Sequence, residues 1–208
     1  MRKIVYQNGN YSIYQVGKER LREVAEFVVR ENYKHHTGTY DGNTVEEEIM
    51  SVYKEELAFV DSSLIFVVYD SKDKIIGSIR VFKWDRNKPL PIEKLFGINP
   101  LVKIHSEGKY NFWHIGRFAI NKETTISTVS LFKLLMLFAV HPIVSDRRSY
   151  MIAETDSKLL RVMNALGIKT RTLGKSIYYL ASETIPVCSS KRGLLPFYKH
   201  YNSLLEAS

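Results

Sequence analysis

Two segments of this chain, Ile75–Trp84 (IIGSIRVFKW) and Phe112–Ile120 (FWHIGRFAI), read as strands of β-branched and aromatic residues. Each carries an arginine inside the run, Arg80 and Arg117. A guanidinium in such surroundings is costly unless it is paired or faces a water-filled cleft. One strand of this kind is compatible with plain amphipathicity. Two of them, on either side of an irregular stretch, predict a shared polar cleft, and the function is expected there.

The 208 residues suffice for one large domain or two small ones. No repeat, low-complexity tract or linker divides them, so one domain over 1–208 is expected. A hydrophobic content of 45 % with 25 % charged residues is that of a globular chain that buries a core. The single Cys188 excludes an internal disulfide framework, suits a reducing cytosol and reads as a small core or strand residue. The longest apolar run, Val129–Val140, is only about twelve residues and contains Lys133, which fits a buried core helix and not a membrane span. With no apolar leader at the start, the expectation is a soluble cytoplasmic protein. The net charge of +8 would attract polyanions. The basic residues are scattered and do not interleave with aromatics, so nucleic acid is not an expected partner.

Along the chain, Tyr11–Val16 alternates as a first strand, and Leu21, Val24, Ala25 and Val28 mark an amphipathic helix over Lys18–Tyr33. Gly38 and Gly42 break it, and Thr44 is expected to cap a second helix, with Glu47 completing a capping box. Leu64–Tyr69 and Ile75–Trp84 form a hairpin about the polar turn Asp70–Lys74. Asn87–Lys109 is irregular and expected across one end of the sheet. After Phe112–Ile120, Thr124–Ser130 leads into the apolar helix, expected to end near Val140. Tyr150–Glu154 is a strand, Asp156 or Ser157 caps a helix through Ala165, and Gly167 stops it. Ser176–Ala181 and Ile185–Cys188 are the last strands, and the tail from Leu194 packs either on its own core or on a second subunit, as a homodimer. The order predicts an α/β fold, a mixed, mostly antiparallel central sheet with helices on both faces.

This order resembles that of the GNAT acyltransferase superfamily over Ser12–Cys188. Three motifs resemble the branch of autoinducer synthases and N-acyl amino acid synthases: IGSIRV (Ile76–Val81), LPIEKLF (Leu90–Phe96) and HIGRF (His114–Phe118). The resemblance implies an acyl-CoA N-acyltransferase fold and acetyltransferase-like chemistry. An acyl group would pass from a pantetheine thioester, on coenzyme A or acyl carrier protein, to a small-molecule primary amine, that of an amino acid included. Three departures accompany it. The donor loop, TTISTVS (Thr124–Ser130), has no glycine; Met163 stands where many acetyltransferases have a tyrosine; and His114 replaces the branch's glutamate. The third, with the mismatch of Thr37–Asn43 to the branch's N-terminal pattern, argues against lactone formation. The alternative is a catalytically inactive GNAT-like fold that binds an acyl or amino-acid ligand or a protein partner.

By the same resemblance, Phe118, Ala119 and Ile120 would line the pantetheine, or serve only as strand core. Hydroxyls of Thr125, Ser127, Thr128 and Ser130 would replace the missing glycine amides, unless they merely cap the helix. For the proton, His114 is the first candidate, since imidazole titrates near neutrality, and Glu154, ending the next strand, is the reserve. Arg80 and Arg117 would hold an anionic group such as an amino-acid carboxylate, or pair with internal acids and organise the cleft. Strict alternation sets His114 with Gly116 and Phe118 and turns Arg117 away; a bulge at Gly116 could bring Arg117 round. His35 and His36 are adjacent, point differently and lack further ligands at familiar spacing, so no metal is expected. An open passage between the two central strands would fit catalysis, whereas one filled by Phe118, Met136 or Met151 would fit the inactive fold.

Overall fold

The first five strands are antiparallel neighbours in chain order: β1 (Lys3–Asn8), β2 (Tyr11–Val16), β3 (Ser63–Asp70), β4 (Ile75–Lys83) and β5 (Asn111–Ile120). They belong to a computed structural model that describes residues 2–36, 42–104, 109–179 and 182–205. Thr37–Asp41 and the side chains of His35 and His36 lie outside the described residues. β5 then pairs in parallel with β6 (Ser149–Asp156), which pairs antiparallel with β9 (Ser182–Ser190). The short β7 (Arg171–Thr172) and β8 (Ile177–Tyr179) both add antiparallel to β9. The result is a nine-stranded, mostly antiparallel sheet with helices on both faces.

One face is covered by α1 (Leu21–His36) and α2 (Gly42–Phe59); Leu21, Val24 and Val28 pack on Ile65 and Val67 of β3. The other face is covered by α5 (Thr128–Ser145) and α7 (Lys191–Tyr201). α5 is buried nearly all round, with Leu131, Leu135, Leu137, Ala139, Val140 and Ile143 wholly inaccessible. It runs past the expected end near Val140, through Pro142, to 18 residues. By length and composition such a helix could cross a membrane; here it packs between the sheet and α7. The tail therefore closes on its own core, with Leu194 and Phe197 fully buried.

Most expected elements are present, with particular corrections. The sheet starts earlier than Tyr11, at β1, which exposes everything but Val5 and Tyr6 and so carries no alternating signal. α2 is already under way at Gly42, so Thr44 sits inside the helix instead of capping it. Asn87–Lys109 contains two short helices, α3 (Pro91–Phe96) and α4 (Pro100–Lys103); Ile92 within α3 and the flanking Leu90 and Ile104 are buried in one cluster with Phe82 and Phe112. Asp156 caps α6 (Ser157–Ala165), its carboxylate accepting from the Lys158 and Leu159 amides at 2.8 Å each. Gly167, at φ +94°, ends that helix in a conformation side chains resist. Cys188 is buried in β9, where burial pushes its thiol up.

Candidate active site

The parallel ladder between β5 and β6 is short. It runs from Asn111↔Ser149 to His114↔Ile152 and then stops, although β5 continues to Ile120 and β6 to Asp156. Beyond it the strands part, and backbone groups on their facing edges have no partner across the gap. A cavity of about 140 Å³ lies there, reached by His114, Glu154, Arg80 and Arg117 on one side and Met136, Met151 and Met163 on the other. A second cavity, of about 420 Å³, continues it outward past Phe118, Ala119 and Ile120 to Thr128 at the start of α5. Phe118, Asp156, Leu159 and Asn32 line both, so the two form one groove. Met136 and Met151 wall the inner end and do not fill it.

A β-bulge shapes the inner end. Opposite β4, Ala119 pairs with Ser78 and Gly116 with Arg80, so Ile79 alone faces Arg117 and Phe118. Arg117 has φ +54°, and the Ser78 hydroxyl donates to its carbonyl at 2.8 Å. The extra residue turns Arg117 onto the α2 side together with His114. It also moves Phe118 to the opposite face, where its ring meets Phe132 edge-on at 5.3 Å. The irregularity thus falls one residue after the Gly116 at which a bulge was entertained.

Arg80, His114 and Glu56 are almost wholly buried, each at 1–2 % exposure, and are joined in one chain of polar contacts. The Arg117 Nε donates to Glu56 at 2.7 Å and its Nη2 to Glu55 at 2.7 Å. Arg80 Nη1 lies 3.3 Å from the same Glu56 oxygen, and Arg80 Nη2 donates to His114 Nδ1 at 3.0 Å. A guanidinium has no acceptor, so Nδ1 must accept and the ring proton resides on Nε2, which donates to Glu154 at 2.8 Å. Gly116 makes room for this: a Cβ there would lie 2.7 Å from Arg80 Nη2. Burial alone would raise the Glu56 carboxyl, but Arg80 and Arg117 outweigh it and hold it below the usual carboxylate range. Burial pulls the Arg80 guanidinium down, though such a group stays charged at any ordinary pH.

Both arginines therefore meet internal carboxylates, one of the two arrangements the sequence left open. Both ring nitrogens of His114 are engaged within the protein. Glu154 is different: its second oxygen, Oε1, is buried without a hydrogen-bond partner. Tyr179, which the sequence did not single out, also lines the inner cavity, and burial raises its phenol. Among the hydroxyl residues proposed for the donor, Thr128 lines the outer cavity, whereas Thr125, Ser127 and Ser130 are not among its walls. Ser127 is the N-cap of α5 and accepts from the Ser130 amide at 3.3 Å. Two cations that spacing did not reveal, Lys122 and Lys158, stand at this end, and burial, then the charge of Lys158, lowers Lys122. Trp113 serves packing and structure, donating to Asp146 at 3.0 Å. Among the described residues, no three His, Cys, Asp or Glu side chains are grouped to hold a metal ion.

In fold the chain is like solved structures of an AHL synthase, an N-acyl amino acid synthase and an acetyltransferase. No family model matches the sequence, and no curated protein matches it. Among solved structures, it is similar to FeeM, an N-acyl amino acid synthase from uncultured soil microbes. The TM-score is 0.58 at 16 % identity, covering 92 % of this chain and 93 % of the other. It is also similar to the AHL synthase LasI, with a TM-score of 0.54 at 14 % identity, covering 91 % and 94 %. A ribosomal-protein-S5-alanine acetyltransferase from Vibrio fischeri gives a TM-score of 0.51 at 14 % identity, covering 89 % and 96 %.

Proposed function

We propose that the chain is an N-acyltransferase that moves an acyl group from a pantetheine thioester, on coenzyme A or acyl carrier protein, to a primary amine. The observation that carries this reading is the unpartnered Glu154 oxygen, set where β5 and β6 part and continuous with a groove leading to the start of α5. In the reaction the amine nitrogen attacks the thioester carbonyl, a C–N bond forms, and the C–S bond breaks with its electron pair leaving on sulfur. An acceptor that arrives as its ammonium first loses one proton to solvent; Glu154 Oε1 takes the proton the nitrogen sheds as it attacks, and that proton passes to the departing thiolate, which regenerates the carboxylate. His114 orients Glu154 through Nε2–H and is in turn oriented by Arg80, so His114 positions the base and is not itself the base. Unpaired backbone amides along the parted strands are suited to polarise the carbonyl. Lys122 and Lys158 suit a phosphate-bearing donor at the outer end. The buried free thiol of Cys188 suits a reducing cytoplasm.

One observation favours the second reading, an inactive fold that binds a ligand: the Ser130 amide, which a donor would need, is taken by Ser127. Thermal unfolding in the presence of acetyl-coenzyme A, a long-chain acyl-coenzyme A or an acylated carrier protein separates the two. A ligand that binds only the folded state raises the melting temperature with occupancy. A rise with one donor, followed by amide formation with an amine, is the expected outcome. No rise with any donor at saturating concentration would favour the inactive fold.

A further inference from the structure

The protein carries a net charge of +8, yet the inner end of its groove is anionic. Among the described residues its lining holds two cations, Arg80 and Arg117, and three carboxylates, Glu55, Glu154 and Asp156, with Glu56 buried beside the arginines. Arg117 is held by Glu55 and Glu56, and Arg80 lies 3.3 Å from Glu56 with its Nη2 on His114. Asp156 is spent as the cap of α6. Glu154 remains: its side chain is nine-tenths buried, one oxygen is held by His114, and the other has no partner. A buried carboxylate oxygen of this kind needs a donor, and among the described residues none hydrogen-bonds to it.

We propose that the acceptor is a cationic primary amine without a carboxylate, an alkylamine, arylalkylamine or diamine, whose ammonium donates to Glu154 Oε1. This rests on the acyl-transfer reading and narrows its substrate. A free amino acid brings a carboxylate that must also be seated. Among the described residues lining the inner end, the cation with spare donors is Arg80, whose Nε and Nη1 have no hydrogen-bond partner, but Nη1 lies 3.3 Å from Glu56, so a carboxylate there would lie beside that carboxylate. A neutral oxygen of the ligand, a hydroxyl, ether or carbonyl, meets that Nε without this repulsion. The groove is thereby polarised, with Lys122 and Lys158 outside and the unpartnered Glu154 oxygen within. An anionic donor and a cationic acceptor would enter opposite ends of it.

The test uses ligand pairs that share a skeleton and differ by one carboxylate: tyramine against tyrosine, cadaverine against lysine, and phenethylamine against phenylalanine. Affinities are measured by calorimetry on the intact protein, alone and saturated with whichever acyl donor raises its melting temperature. The amine of at least one pair is expected to bind tenfold or more tightly than its amino acid. Glu154→Gln should abolish that preference, and Glu154→Asp should restore part of it, with the donor-induced melting shift kept in both. Equal or tighter binding of the amino acids, or no measurable binding of any amine at 10 mM, overturns the proposal, and the wild-type comparison decides even if a variant fails to fold. If no donor binds while amines still outbind amino acids, the acyl-transfer reading fails and the cation site stands. If a donor binds and amino acids win, the cation site fails alone.

Discussion

His114 and Arg117 are three residues apart on one strand and face the same side of the sheet, an arrangement a regular strand forbids. The bulge at Arg117 produces it, and with it a continuous polar chain from Glu55 on α2 to Glu154 on β6. A chain of this kind predicts unequal consequences for its members.

Glu154 is expected to matter more than His114. Glu154→Gln removes the proton acceptor and should lower kcat/KM by about 10²–10⁴-fold. His114→Ala removes only the group that aims it, so the loss should be smaller. Steady-state rates of the two variants check this. A loss in His114→Ala equal to or larger than that in Glu154→Gln would return the role of base to the histidine.

Gly116→Ala should perturb the same chain without touching a charge. Its new Cβ would sit 2.7 Å from Arg80 Nη2 and 3.1 Å from His114 Cε1, so the Arg80 end must shift away from His114. Overpacking of this sort costs about 1–3 kcal/mol, read by urea unfolding. The His114 nitrogen resonances should move as Arg80 withdraws from Nδ1, and unchanged resonances would show that the contact tolerates the methyl.

Glu56 links stability to pH. Its carboxyl lies lower in the folded chain than its ordinary value of 4.5, because Arg80 and Arg117 outweigh the effect of burial. The stabilisation is therefore complete above that value and is lost as pH falls through the lower folded value. Unfolding free energy should decline on acidification below about pH 4.5, with a shallower decline in Glu56→Gln. At neutral pH that variant strands Arg80 without its partner and should cost about 3–5 kcal/mol.

Lys122→Ala and Lys158→Ala are expected to weaken the donor several-fold and to flatten the salt dependence of its binding, because both cations stand in solvent reach at the outer cavity. Melting-temperature shifts at low and high salt measure it. Unaltered salt dependence would place the phosphates elsewhere.

Arg80 and Arg117 were legible in the sequence because charge inside a β-branched run has few inexpensive explanations. Their partners were less so, since Glu55 and Glu56 lie 61 or more residues before Arg117 and only the fold brings them near. A signal existed: the α2 stripe Val45, Ile49, Val52 continues at helical spacing to Glu56, a carboxylate where an apolar residue belongs. The face of Phe118 could not be read, because period-two alternation holds only until a bulge interrupts it. Nor could spacing separate Ser127, which caps its own helix, from Thr128, which lines the groove. β1 hid for a different reason. As an edge strand it buries little, and it joins β2 through the two-residue Gly9–Asn10 turn.

The four-pair ladder between β5 and β6 has one more consequence. Among the described residues it is the backbone ladder that joins two antiparallel blocks, β1–β5 and β6–β9, and the chain passes from one block to the other through α5. Change along the seam, from Asn111 to His114 and from Ser149 to Ile152, resets the angle at which the two blocks meet.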